Sequence, residues 1–395
     1  MSKLAFVLTL SPALALAQTQ VVKPPIAQYW VSAETAAGMS IPGMGAMGAG
    51  MMGMMGGGAM QAGKRLLLQL GSQQAASGGP RAAHDIPPGM NMGPQLPLVT
   101  PQRERAERGS REFGDRERPK GRMLLYWGCG ESVRGGQPVV LDFARMAEGQ
   151  MPPGITSRRV AHASGPAFGR SRTYGDWPNP EEPKAVPENA SLRGDHLVKG
   201  NYSPEIRFSL DKDFMARAEL SANGNTLRWN PIPSATGYFA MLTGAQSENE
   251  IVFWSSSEVQ EMGGTLMDWL PPAEVARLIR EKVVLPPSST ECTVPGEVVR
   301  KAGTPMVNFI AYGEEANFVH PPRPANPKLA WEQQWTVKVR FKATGGLLLG
   351  DAGEPRRSER PQREERRQET REESQPATPD PMQEGVKALR GIFGR

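Results

Sequence analysis

The chain has 395 residues, and its 44 Gly and 37 Pro make up about a fifth of the total, against an average nearer 12%. With only 38% hydrophobic residues, this excludes one compact enzyme domain over the whole length, because long stretches bury too little apolar surface to offset their ordering entropy. The formal charge of +5 comes from 46 basic and 41 acidic side chains that are mixed along the runs 103–120 and 354–373, which excludes a phosphate-binding patch and makes nucleic acid an unexpected partner.

The N-terminus has three parts. Lys3 is positive, residues 4–14 are apolar but too short to span a bilayer, and Ala15-Leu16-Ala17 precedes Gln18. This pattern predicts a secretory signal peptide over 1–17, cleaved near Ala17. No Cys follows the cleavage site, so a lipid anchor is not expected. No later stretch approaches ~18 uninterrupted apolar residues, so no transmembrane span is expected either. Arg outnumbers Lys 33 to 13, as in a GC-rich bacterial genome. The expected compartment is therefore the periplasm or the exterior, which is oxidising.

Residues 18–200 read as a first β-rich domain. Its predicted strands lie at 28–33, 64–70, 122–127 and 138–143, the last two as a hairpin turning at Gly135-Gly136. Two insertions interrupt it. Residues 38–60 hold nine Gly and eight Met without helical or strand periodicity, and residues 71–120 are rich in Gly, Pro and mixed charge. Both are expected to be disordered.

From 201 to 347 the pattern is more regular. Strands are predicted at 204–210, at 220–229 with a Gly224-Asn225 turn, and at 238–242, 251–254, 290–294, 306–312 and 335–342. Along the last, Trp335, Val337, Val339 and Phe341 alternate with Lys338, Arg340 and Lys342, the signature of a half-buried strand. Within 273–285, Val275, Leu278, Ile279 and Val283 share a helical face between two Pro-Pro pairs, which predicts one short helix. Residues 348–380 form a charged tail expected to be disordered. Within 381–395, Val386, Leu389, Ile392 and Phe393 recur at helical spacing, a short amphipathic segment suited to weak membrane-surface or protein contact.

The run from Leu227 through Trp229, Asn230, Pro231 and Gly237 to Tyr238 resembles the fibronectin type III family, in which such a segment crosses from strand B to strand C with the Trp and Tyr in the core. Val307, Phe309, Ala311 and Gly313 resemble that family's strand F. The Tyr expected at the start of that strand would fall at Val307, so the tyrosine corner is absent, and the helical insertion near 273–285 is a second departure. The resemblance covers roughly 203–345. It implies a β-sandwich that serves as spacer or binding module, and no reaction. The expected fold is mainly β: two β-sandwich-like domains, long disordered insertions, one short helix in the second domain and a disordered charged tail.

Few residues invite chemistry. Gly43, Gly45 and Gly48 match a dinucleotide fingerprint, but no strand–helix context surrounds them. Met44, Met47, Met51, Met52, Met54 and Met55 are soft thioethers that would suit Cu(I), and copper handling is the alternative function they suggest. Cys129 and Cys292 are expected to pair and to tie the two domains together. The four histidines, His84, His162, His196 and His320, adjoin no hydrolase motif, and Glu258, Glu261, Asp211 and Asp213 read as solvated. Among the aromatics, Trp177 and Trp331 are the likeliest exposed members of a carbohydrate platform. The sequence thus points to a non-enzymatic exported structural or adaptor protein with protein partners, with Cu(I) handling and carbohydrate binding or hydrolysis as alternatives.

Overall fold

The computed structural model describes residues 20–40, 61–101, 121–150, 160–247 and 249–349. The chain is mostly β. Its strands are β1 (Val22–Lys23), β2 (Ala27–Ser40), β3 (Gly63–Ser72), β4 (Ala82–Asp85), β5 (Gln95–Leu98), β6 (Arg122–Trp127), β7 (Val139–Asp142), β8 (Thr173–Trp177), β9 (Gly194–Gly200), β10 (Ile206–Leu210), β11 (Leu220–Asn223), β12 (Thr226–Trp229), β13 (Ala235–Ser247), β14 (Glu250–Ser255), β15 (Glu291–Thr293), β16 (Met306–His320), β17 (Trp331–Glu332) and β18 (Trp335–Leu348).

Nine of them form one sheet in the order β7-β6-β14-β13-β16-β18-β2-β3-β8. Neighbours are antiparallel except β6 with β14 and β18 with β2, which run parallel. Strands from both sides of residue 200 therefore share this sheet, and the boundary suggested by composition is not a break in it. The physical reason lies in β18. It pairs with β16 along one edge, and its other edge offers a row of backbone donors and acceptors that β2 satisfies from Trp335↔Ala27 to Leu347↔Ser40.

Two smaller sheets cover one face of the long sheet. The order β10-β9-β4-β5 forms one layer, and β11-β12-β15 forms the other. Both contribute to a continuous apolar cluster. Tyr29, Leu68 and Leu70 meet Leu96, Val198 and Phe208 at one end, and Tyr238, Trp254 and Phe309 meet Leu227 and Trp229 at the other. The alternating burial of β10 shows the half-covered pattern of an outer layer. On the opposite face, Val275 and Leu278 of helix α2 (Pro272–Arg280) pack on Phe239, Ile310 and Tyr312.

Local signals explain several elements. Gly224, at φ +57°, closes the tight turn between β11 and β12. Helix α2 (Pro272–Arg280) starts with Pro in its first turn and places Glu274 early and Arg277 and Arg280 late, in accord with its dipole. Helix α1 (Phe143–Ala147) is capped by the Asp142 carboxylate, which accepts from the Ala144 and Arg145 amides. Helix α3 (Gly296–Ala302) ends at Gly303, at φ +69°. Helices α1 and α3 carry too few periodic residues to announce themselves, and the expected single helix is corrected to α2 and α3 within 201–347, with α1 outside it.

A second correction concerns the insertion 71–120. Its first part is folded, since β4 and β5 lie in the four-stranded layer with His84, Leu96 and Leu98 buried. Short strands need little sequence, and Pro97 is tolerated because β5 is an edge strand. Residues 38–40 likewise belong to β2. Residues 41–60, 102–120 and 350–395 lie outside the described residues, as do 1–19.

Candidate functional site

Two polar constellations and one covalent clasp stand out. The first is buried between the long sheet and the four-stranded layer. Tyr29 projects inward from β2, His84 from β4 and His196 from β9. Register sets Phe208 opposite His196, and their rings stack at 4.7 Å, 2° from parallel. The His196 Nε2–H donates to the Leu192 carbonyl at 2.8 Å, which leaves Nδ1 as an acceptor. That nitrogen receives the His84 Nε2–H at 3.0 Å, and His84 Nδ1 receives the Tyr29 hydroxyl at 2.9 Å. One set of neutral tautomers satisfies the whole chain. Burial pushes the His84 pKa well below the usual value, with His196 adding to the effect. Burial also lowers His196, partly opposed by its bond to Leu192 and by Asp195. Tyr29 is pushed well above its ordinary value, mainly by burial.

Such a chain fixes a core. Among the described residues no serine or carboxylate hydrogen-bonds either ring, so these histidines are not arranged as a hydrolase triad. A cleft of about 740 Å³ touches the edge of His196 and is lined by Asp85, Pro87, Arg193, Arg207 and Phe208.

The second constellation lies on the opposite face of the long sheet. Lys338, Arg340 and Lys342 project from β18 beside Trp30 of β2, and Trp269 descends from the segment before α2. The Arg340 guanidinium sits 4.7 Å from the Trp30 ring centroid and 4.6 Å from that of Trp269. Lys342 Nζ lies 3.7 Å from the Trp269 centroid. Arg340 Nε donates to Ser32 at 2.7 Å, and Lys338 pairs with Glu315. Glu34 gathers Arg65 at 3.3 Å, Lys342 at 3.6 Å and the Thr344 hydroxyl at 2.6 Å. Desolvation lowers the pKa of both Arg340 and Lys342, with Asp268 opposing it for each and Glu34 for Lys342.

The alternation along β18 implied a solvated basic face. Instead Lys342 is only 8% exposed. The overlying indoles accept the cations through their π faces while the aliphatic stems pack as apolar surface. Gly165 permits the cover over Trp30, because a Cβ there would fall 2.6 Å from the indole. Beside this ladder, Trp30, Trp331 and Phe318 with Gln28, Gln333 and Lys338 line a cleft of about 300 Å³.

The clasp is the Cys129–Cys292 disulfide, with Cα atoms 5.2 Å apart. It joins the loop after β6 to β15, and so ties the long sheet to the three-stranded layer. The remaining residues singled out from the sequence are scattered. Met44, Met47, Met51, Met52, Met54 and Met55, with Gly43, Gly45 and Gly48, lie outside the described residues, as does 386–393. Trp177 is buried rather than exposed, while Trp331 is half-buried. Glu261 is buried and accepts from the Met262 and Gly263 amides. Asp213 is not simply solvated, since it accepts from the Leu192 and Phe214 amides and the Ser191 hydroxyl. The histidine chain was invisible in the sequence because its members are far apart and carry no local pattern. No protein-family model, curated protein or solved structure matches this chain.

Proposed function

We propose that the protein is a non-enzymatic, exported structural or adaptor protein that offers a rigid β platform to protein partners. The observation that carries this reading is the shared sheet. One nine-stranded layer backs two separate outer layers, with Tyr29 on one face held in the histidine chain and Arg340 on the other held between Trp30 and Trp269. A disulfide between β-layers suits a secreted chain. In support of a fibronectin type III-like unit over 203–345, Trp229 lies on β12 and Tyr238 on the following strand β13, both buried. Their rings lie 5.5 Å apart, and Phe309 of β16 lies 4.8 Å from Trp229.

The test is expression in a bacterial host with residues 1–19 intact, followed by fractionation and native mass spectrometry with and without reductant. The expected species is periplasmic, begins at Gln18, retains the Cys129–Cys292 bond and carries no metal, and the same chain isolated from its own cells elutes with a stoichiometric protein partner. A full-length, reduced cytoplasmic chain would overturn the export reading. Retained copper would give precedence to the Met-rich segment instead.

A further inference from the structure

The N-terminal residues fold against the loop after β16. In the parallel ribbon of β1 and β17, Val22 faces Trp331 and Lys23 faces Glu332. The Trp331 amide donates to the Val21 carbonyl at 2.8 Å, and the Gln20 side chain donates to the Leu329 carbonyl at 2.9 Å. This small lobe carries three of the five large apolar side chains that the described residues leave exposed: Val21 at 63%, Val22 at 50% and Leu329 at 56%.

Their surroundings are cationic. Lys23, Arg323 and Lys328 adjoin them, against one carboxylate, Glu332, which Lys23 already pairs at 2.5 Å. Arg323 lies 5.6 Å from the Trp331 ring centroid, and the indole N–H donates to the Pro321 carbonyl at 2.9 Å. Pro321, Pro322, Pro324 and Pro327 restrict the backbone of the loop, which lowers the entropy lost on docking.

Aliphatic tips with a cationic rim and a half-buried indole match the interfacial zone of a bilayer. Three side chains are too few for a stable protein interface, which needs about 800 Å² from each partner. Interfacial binding instead sums small apolar insertions with attraction to anionic headgroups. We propose that this lobe docks on an anionic phospholipid bilayer surface, with Val21, Val22 and Leu329 entering the headgroup–acyl boundary and Arg323 and Lys328 meeting lipid phosphates. These residues are distinct in sequence from the amphipathic segment suggested near the C-terminus.

The experiment is co-sedimentation of the mature full chain with vesicles of phosphatidylglycerol and phosphatidylcholine, and of phosphatidylcholine alone. Binding is expected to be at least fivefold tighter on the anionic vesicles and to weaken in high salt. A Val22→Asp, Leu329→Asp double variant is expected to bind at least tenfold more weakly with an unchanged thermal melt. An Ile392→Asp, Phe393→Asp variant is expected to bind as the parent does. Equal binding by the parent and the Val22, Leu329 variant, no vesicle binding at all, or loss of binding in the Ile392, Phe393 variant would each overturn the proposal. So would a dimer in solution that the Val22, Leu329 substitutions dissociate without any effect on lipid, since the patch would then be covered by a second copy.

Discussion

The two ends of the long sheet are covered by different means. Beneath the three-stranded layer the contact is aromatic, Trp229 against Tyr238 and Phe309, with a disulfide alongside. Beneath the four-stranded layer it runs through a polar chain from Tyr29 to Leu192, flanked by Phe208. Aromatic packing tolerates small shifts and is insensitive to pH. A hydrogen-bonded chain has one proton arrangement, and each member left unpaired costs its desolvation. One continuous core thus differs in vulnerability from one end to the other.

The largest expected effect tests the aromatic end. Trp229→Ala removes a buried indole and leaves a cavity, and should cost about 3–5 kcal/mol in denaturant unfolding. A loss under ~1 kcal/mol would show that the three-stranded layer contributes little. Replacing Cys129 and Cys292 with Ser should cost about 2–5 kcal/mol, given the 163-residue separation they close. If the shared sheet makes unfolding cooperative, probes at both ends should shift together. An unmoved transition at the four-stranded end would separate the two.

The polar end should respond next. Tyr29→Phe leaves His84 Nδ1 buried without its donor and should cost about 1–3 kcal/mol. Acid should act there as well. The unfolded chain takes up protons near pH 6.5, whereas the folded chain holds His84 and His196 neutral because their pKa values are lowered. Stability is then complete above that value and falls as pH drops below it, by at most about 1.4 kcal/mol per pH unit for each histidine. A flat profile between pH 7 and 5 would contradict the neutral pair. The smallest effect is reserved for the ladder: Arg340→Lys keeps the charge but loses the flat stack between two indoles, for about 1 kcal/mol.

Much of the β pattern was legible. The alternation over 335–342, the Gly224-Asn225 turn and the Pro271-Pro272 pair at the start of α2 each mark a local rule that the structure follows, whereas α2 ends at Arg280, short of the expected 285 and of Pro286-Pro287. What escaped is non-local. Parallel pairing of β18 with β2 leaves no signature in either strand, because neither sequence records which strand lies beside it. Short strands such as β4 and β5 derive their order from neighbours, and Pro97 reads as loop until an edge is known. The burial of Lys342 depends on Trp269, which approaches from another segment. The Tyr29–His84–His196 chain depends on three strands meeting, and nothing near any one of them announces the other two.

The pairing of β2 with β18 has a consequence in time. It joins residue 27 to residue 335, so the centre of the sheet cannot close until almost the whole chain has been made. At about 5–20 residues per second that is a delay on the order of 15–60 s, during which the edge of β2 that β18 will cover stays open. The apolar inner row, Tyr29 and Val31 beside Leu68 and Leu70, gains its cover sooner, once the four-stranded layer is complete at Leu210. Yield in a host should therefore depend in part on whatever shields that edge of β2 while it waits.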